Sequence, residues 1–126
     1  MAQAADPLTG ARFLVQIEGL TAHDFVEVLF PEATVIDGRP QLTHLVLRRA
    51  AGVDCELADW WQQAANGKSA PKRLSVTLLD SRGEPQVRWN FKAAQPVRYT
   101  VSGLSAVAPA VVVETLELAV ATFERE

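Results

Sequence analysis

Short runs in which apolar and polar residues alternate recur along this chain of 126 residues, and they constrain its fold more than any other feature. In residues 12–18, the side chains of Phe13, Val15 and Ile17 fall on one face of an extended backbone. Residues 73–79 repeat the pattern. A period of two residues is typical of a half-buried β-strand, so the sequence predicts a mainly β, antiparallel fold.

Further apolar runs and turn residues predict the other strands. These strands are residues 25–30, 33–36, 42–48, 87–91 and 97–102. Asp37-Gly38 is the strongest two-residue hairpin signal in the chain, because both residues tolerate the positive φ that such a turn requires. We expect residues 42–48 to be the partner strand of this hairpin, and Asp80 to Gly83 to form a second turn.

One segment has a helical period instead. The apolar residues at that spacing are Leu57, Trp60, Trp61 and Ala64. Asp54 is a suitable N-cap and Gly67 a suitable residue just beyond the C-terminus, so a helix is predicted over about residues 54–66. Adjacent helical residues lie about 100° apart, so one tryptophan should face the core while the other flanks it.

The last apolar segment, residues 111–123, fits either type of element. As a helix it would present Val113, Leu116, Val120 and Phe123 on one face. As a strand it would present Val112, Leu116, Leu118 and Val120. Three consecutive valines favour the strand, because β-branched side chains are restricted in helices.

Composition and charge exclude several classes of protein. The chain has 12 Lys and Arg against 15 Asp and Glu, a net charge of −3 that argues against an electrostatic nucleic-acid binder. A single cysteine permits neither an intrachain disulfide nor a zinc site built from cysteines. The first residues lack the apolar run of a signal peptide, and the longest uncharged apolar stretch, residues 106–113, is too short for a membrane span. We expect synthesis in the cytoplasm and no membrane insertion.

The sequence contains no pattern typical of catalysis, of a metal site or of a cofactor site. His23 and His44 lack the spacing of metal ligands and are expected to be structural or exposed. Cys55 lies where a helix N-terminus would lower its pKa, but a small buried residue is the simpler interpretation. Glu114 and Glu117 would point to opposite faces of a strand and meet only in a helix. An enzyme, such as a hydrolase that uses Cys55 with a histidine, is therefore not expected.

Five blocks, in order along the chain, resemble one known family. They are DPLTGARFLVQIEGL (residues 6–20), LVLRRAAG (45–52), ELADWWQQAANGK (56–68), VTLLDSRGEPQVRWNFKAAQPVRYT (76–100) and VETLELA (113–119). The most specific of them is the fourth, with its Arg-Trp-Asn-Phe-Lys run at residues 88–92. The chain is similar in these blocks to the tail tube proteins of contractile phages and of phage-tail-like contractile injection systems. The resemblance of the last block also favours a strand there.

This resemblance implies a tail-tube type of fold, an antiparallel β-sandwich or small barrel with one flanking helix. It implies a structural subunit without catalysis or cofactors, six copies of which form a ring. Rings stack into a hollow tube that passes DNA or effector cargo, with sheath and baseplate proteins as further partners. The assembled product would be a phage virion or a phage-tail-like injection particle. Residues 1–10 are expected to form a flexible arm, and residues 11–126 a single domain.

Residues 25–45 form a shorter segment than the family leads us to expect. The chain could therefore be a tube initiator or a minor tube subunit near the baseplate. An alternative from another class is a monomeric β-sandwich binding module, with Trp60 or Trp61 on its ligand face.

Two sets of residues are candidates for roles in assembly. Contacts between subunits are expected at Asp6, Pro7, Leu29, Phe30, Pro31, Glu32, Asp37 and Gly38. A modestly acidic lumen would let DNA pass without adhering, because like charges repel. The carboxylates proposed for the lumen are Glu18, Glu27 and Glu117.

Overall fold

The computed structural model describes residues 12–126, in which nine strands and one helix follow one another. In chain order they are β1 (Phe13–Ile17), β2 (Phe25–Leu29), β3 (Ala33–Ile36), β4 (Arg39–Leu42), β5 (Leu45–Ala50), α1 (Glu56–Ala65), β6 (Lys72–Leu79), β7 (Pro85–Val101), β8 (Val113–Ala119) and β9 (Thr122–Arg125). The predicted mainly β, antiparallel fold with one flanking helix is confirmed. Within the described residues, no helix is long and apolar enough to cross a membrane.

Two antiparallel sheets share the long strand β7. Sheet A consists of β1, β6, the first part of β7 and β9, paired in that order. Sheet B consists of the last part of β7, then β8, β5 and β2. Apolar side chains of both sheets and of α1 form one buried cluster, which holds the sheets together.

The continuity of β7 corrects the prediction of two separate strands at 87–91 and 97–102. The intervening residues include Pro96 and no strong strand former, which is why the sequence suggests a break. Instead, the backbone passes from sheet A to sheet B around Ala93, whose φ is +56°. Pairing with β6 ends at Ala94 and pairing with β8 begins at Gln95. A local irregularity thus bends the strand without ending it.

The hairpin at Asp37-Gly38 forms as predicted, with φ of +53° and +76° at the two turn residues. Its partner strand is β4 and not residues 42–48. A two-residue turn pairs Ile36 with Arg39, so the partner must begin immediately after the turn. The strand β5 instead pairs with β2 and β8.

The helix lies within the predicted range and buries the expected face. Leu57 and Trp60 are buried, while Trp61 packs against the edge of the core. The N-cap position is held by Cys55, although Asp54 still accepts a hydrogen bond from the backbone N–H of Glu56 (2.9 Å). Asp54 therefore contributes to the helix start from one residue further out.

The ambiguous C-terminal segment is a strand. In β8, the buried side chains are those of Glu114, Leu116 and Leu118, and the residues between them are partly exposed. Glu114 and Glu117 consequently point to opposite faces, as predicted for a strand.

Candidate assembly surfaces

In the part of the chain that the structure describes, the side chains of His23, His44 and Cys55 each contact a carboxylate and form no hydrogen bond with one another. His23 and His44 are both exposed and lie beside carboxylates, with Nδ1 2.9 Å from Asp24 and 3.3 Å from Glu117. Within residues 12–126, no group of three or more His, Cys, Asp or Glu side chains could hold a metal ion.

Cys55 is exposed, which corrects the interpretation of a buried residue. The strand-to-helix connection leaves it at the surface because α1 begins only at Glu56. Its Sγ donates a hydrogen bond to Oδ2 of Asp59 (3.2 Å), and this contact raises the pKa of the thiol. The acidic neighbour thus outweighs the helix N-terminus, which would lower the pKa.

A buried ionic network, missed by sequence reasoning, connects sheet B to the start of α1. The Arg49 side chain is completely buried and bonds to Glu114 (Nε to Oε2, 2.7 Å) and to Asp54 (Nη2 to Oδ1, 2.5 Å). Tyr99 donates its hydroxyl hydrogen to Oε1 of Glu114 (2.6 Å). The sequence pattern that could have revealed this network is the position of Arg49, which falls on the same buried face of β5 as Leu45. An arginine on an apolar strand face requires a buried partner.

The exposed face of sheet B is polar, and we call it the sheet B outer face. It carries Glu27, Leu29, Val46, Arg48, Arg98, Thr100, Thr115 and Glu117, on the side of the sheet opposite the buried leucines. Two of the three proposed lumen carboxylates, Glu27 and Glu117, therefore share one surface. Glu18 follows β1 in sheet A, where its Oε1 accepts a hydrogen bond from the backbone N–H of Arg73 (2.9 Å) that lowers its pKa.

Charges on the sheet B outer face are paired. Arg48 bonds to Glu27, the residue directly opposite it in the register. Arg98 lies 3.4 Å from Glu117 (Nε to Oε2). The face is a balanced alternation of acidic and basic side chains, and not a surface of predominantly negative charge.

Both edges of sheet B carry exposed aliphatic side chains. One edge is β2, with Val26 and Leu29, and the other is the last part of β7, with Val97 and Val101. Unpaired strand edges with apolar side chains favour association with another chain.

The other residues predicted to contact neighbouring subunits differ in their exposure to solvent. Glu32, Asp37 and Gly38 are exposed. Phe30 is partly exposed and packs edge-on against Trp89, with ring centroids 4.9 Å apart. Pro31 is buried within the chain. Asp6 and Pro7 lie outside the described residues.

The fold of this chain is similar to that of several solved chains. A chain from the cryo-EM structure of an extracellular contractile injection system, the PVC sheath–tube complex in the extended state, is 18% identical, with a TM-score of 0.82 over 100% of this chain and 98% of that one. A chain from the anti-feeding prophage (AFP) baseplate is 20% identical, with a TM-score of 0.79 over 96% of both chains. Hcp1 from Flavobacterium johnsoniae is 15% identical, with a TM-score of 0.61 over 90% of this chain and 93% of that one.

These likenesses define the class of the fold, a mainly β architecture that the chain shares with all three solved chains. A comparison with curated protein sequences gives no match. The family model described as T4-like virus tail tube protein gp19 matches residues 32–124. The chain therefore belongs to this tail tube protein family, and the resemblance inferred from its sequence blocks is confirmed.

Proposed function

We propose that this protein is a structural, non-catalytic subunit of the inner tube of a contractile tail or contractile injection system. Six copies would close into a ring, and rings would stack into a hollow tube that passes DNA or effector cargo. The observation that carries the proposal is that, among the described strands, none pairs with the outer side of β2 or of the last part of β7, and both of these edges of sheet B carry exposed aliphatic side chains.

The strand directions in sheet B suit ring closure. Three antiparallel pairings separate β2 from the last part of β7, so these two edges run in opposite directions. Rotation about a ring axis does not change the direction of a strand along that axis. The β2 edge of one copy would therefore meet the β7 edge of the next in antiparallel orientation, and each copy would add four strands to a continuous barrel.

In such a barrel the sheet B outer face lines the lumen, because sheet A and α1 cover the other face of sheet B. The proposal keeps Glu27 and Glu117 as lumen residues and places Glu18 outside the lumen, since Glu18 belongs to sheet A. Because acidic and basic side chains alternate on this face, a charged cargo would meet no continuous surface of opposite charge to which it could bind.

Sheet A would then face outward, toward the sheath. Its exposed face is polar and carries Arg73, Arg88, Lys92 and Glu124. Baseplate proteins would contact the terminal ring of the tube, and the particle would be a phage virion or a phage-tail-like injection particle.

Disulfide trapping tests the ring. In a Cys55→Ser background, Val26→Cys and Val101→Cys would be combined in one chain. A second variant would combine Val26→Cys with Val97→Cys, to allow for a different register between the two edges. Oxidation at high protein concentration should give a ladder of cross-linked chains that ends at six. The matched control combines Leu14→Cys, on the β1 edge of sheet A, with Val101→Cys and should give no ladder.

A ladder from the control alone would show that the β1 edge of sheet A, and not the β2 edge of sheet B, meets the β7 edge of the next copy, and it would overturn the proposal. A monomeric mass in solution with no ladder from either pair would also overturn it, and would favour the monomeric binding module.

A further inference from the structure

One carboxylate of the sheet B outer face, that of Glu117, contacts two side chains that can carry a positive charge. Its Oε1 lies 3.3 Å from Nδ1 of His44, and its Oε2 lies 3.4 Å from Nε of Arg98. His44 directly precedes Leu45, which is buried on the inner face of β5, so the histidine side chain lies on the outer side of the sheet. His44 therefore belongs to the surface that lines the lumen in the proposed tube.

The charges of this surface balance when His44 is neutral. Arg48 bonds to the carboxylate of Glu27, and Arg98 lies beside that of Glu117. Two carboxylates and two guanidinium groups together leave the surface without net charge. A single further charge therefore decides its sign.

The other titratable groups of the sheet B strands do not contact His44. Arg49 and Glu114 are buried on the inner face, where the Tyr99 hydroxyl also bonds to Glu114. Glu32, in the connection from β2 to β3, has an exposed side chain and bonds through its backbone to Thr43. The contact with Glu117 is thus the only ion pair of His44 among the described residues.

Protonation of His44 would give the surface a positive charge. Histidine is the side chain that ordinarily changes charge between pH 5 and 8, whereas ordinary carboxyl groups titrate at about pH 4. The His44 side chain is 48% exposed, so it can exchange protons with water in the lumen. The added charge would recur in every copy around the ring and along the tube. A cleft or channel lined by charge of one sign attracts ions of the opposite sign.

We propose that His44 makes the charge of the lumen depend on pH, so that the tube retains polyanionic cargo in mild acid and releases it at neutral pH. The inference rests on the proposed tube function and names a regulation of its lumen. At neutral pH the acidic and basic groups balance, and a polyanion finds no excess of positive charge. In mild acid each copy offers one uncompensated positive charge, and binding releases counterions from the polyanion.

A short single-stranded DNA oligonucleotide, labelled with a dye that does not titrate in this range, is the polyanionic probe. Its binding to the assembled protein is followed by fluorescence anisotropy at about pH 5.5 and about pH 7.5. The mass in solution is recorded at both pH values, to show that rings persist. At low salt, the unmodified rings should bind the probe roughly tenfold more tightly at the lower pH, and added salt should abolish this binding.

The two histidines of the chain provide a matched pair of variants. His44→Gln removes the titrating group and should bind the probe weakly at both pH values. His23→Gln is the control, because the His23 carbonyl accepts a hydrogen bond from Arg49 (3.4 Å) on the other side of sheet B. This variant should keep the full pH response. Both side chains are exposed, so the fold should be retained in each variant.

A second pair of variants separates the charge of the lumen from that of the whole chain. Glu117→Gln leaves Arg98 without its carboxylate partner, so this surface gains one positive charge and should bind the probe even at the higher pH. Glu124→Gln, on the exposed face of sheet A, changes the net charge of the chain equally and should not bind the probe there.

Equal affinities of the unmodified rings at the two pH values would overturn the inference, while the rings themselves would still support the tube function. An unchanged pH response in His44→Gln, its loss in His23→Gln, or equal binding by Glu117→Gln and Glu124→Gln would overturn it too. Rings that dissociate at the lower pH would show that protonation acts on an interface and would also overturn it. A monomeric mass at both pH values would instead overturn the proposed function, and this inference with it.

Discussion

The Nε atom of Arg49 lies 2.7 Å from Oε2 of Glu114, and both side chains are buried between sheet B and the start of α1. Asp54 bonds to the same guanidinium, and Tyr99 bonds to the second oxygen of Glu114. Each charge therefore has a partner, and among the described residues no buried side-chain nitrogen or oxygen lacks a hydrogen bond. The network joins β5, β7 and β8 to Asp54, two residues before the first residue of α1.

Glu114→Gln should lower the free energy of unfolding by about 3 kcal/mol, because removing one partner leaves a buried charge without full compensation. Urea unfolding followed by tryptophan fluorescence measures the change. Glu117→Gln is the matched control on the same strand, and its more exposed pair should contribute under about 1 kcal/mol. Equal losses in the two variants would contradict the buried network.

The hydroxyl group of Tyr99 should ionise at a higher pH than that of an ordinary tyrosine. Burial, together with the hydrogen bond to Glu114, raises its pKa to about 12. It is the only tyrosine of the chain, so absorbance near 295 nm follows this group alone. Because the folded pKa exceeds the unfolded value of about 10, stability should fall as the pH rises between these values. A folded-state midpoint equal to that of the urea-unfolded chain would contradict the contact.

Asp54 should stabilise the fold at neutral pH and cease to do so in acid. The hydrogen bonds from Arg49 and from the Glu56 N–H lower its pKa. Its contribution is therefore complete above the unfolded pKa of about 4 and is lost as the pH falls through the folded pKa. Asp54→Asn should reduce the free energy of unfolding at pH 7 and make its decline below about pH 4 less steep. Asp37→Asn, in an exposed turn, is the control and should change the free energy of unfolding at pH 7 by under about 0.5 kcal/mol; equal losses in both variants would contradict the role of Asp54.

Cys55 should react slowly with thiol reagents despite its exposure. The hydrogen bond to Asp59 raises its pKa, so less thiolate is present at neutral pH. Asp59→Asn should increase the labelling rate at pH 7, measured with a chromogenic disulfide. As the chain has one cysteine, the rate reports this thiol alone, and the urea-unfolded chain gives the reference rate. Equal rates for the native protein and the variant would exclude control by Asp59.

Reversal of charge on the sheet B outer face should change cargo passage and not assembly. Glu27→Lys with Glu117→Lys removes the contact of His44 with Glu117 and two partly exposed ion pairs with Arg48 and Arg98, each pair contributing at most about 1 kcal/mol. Mass in solution should still correspond to rings, whereas labelled DNA should now bind them because the face has become basic.

Glu18→Lys with Glu124→Lys makes the matched change on sheet A. If the reversal at Glu27 and Glu117 abolished the rings, these residues would belong to an interface and the lumen assignment would be wrong. Equal DNA binding by both double variants would also contradict the assignment of Glu27 and Glu117 to the lumen.

The sequence by itself determined the local elements. Alternation predicted β1 and β6, while Asp37-Gly38 predicted a turn that requires positive φ. Helical spacing and Gly67 predicted α1 with one of two adjacent tryptophans inward, and the structure shows that this residue is Trp60. These features depend on residues within a few positions of one another, so a local pattern is sufficient to predict them.

Only the tertiary structure decided which strands become neighbours. Strand periodicity shows which residues share a face, but Arg49 and Glu114 meet across 65 positions of sequence, through pairing of β5 with β8. The same pairing places Glu27 and Glu117 on one face and excludes Glu18. The passage of β7 between the sheets likewise depends on the strands on either side of it, because β9, β6 and β8 pair with the residues that flank Ala93 and so keep the strand continuous across the bend.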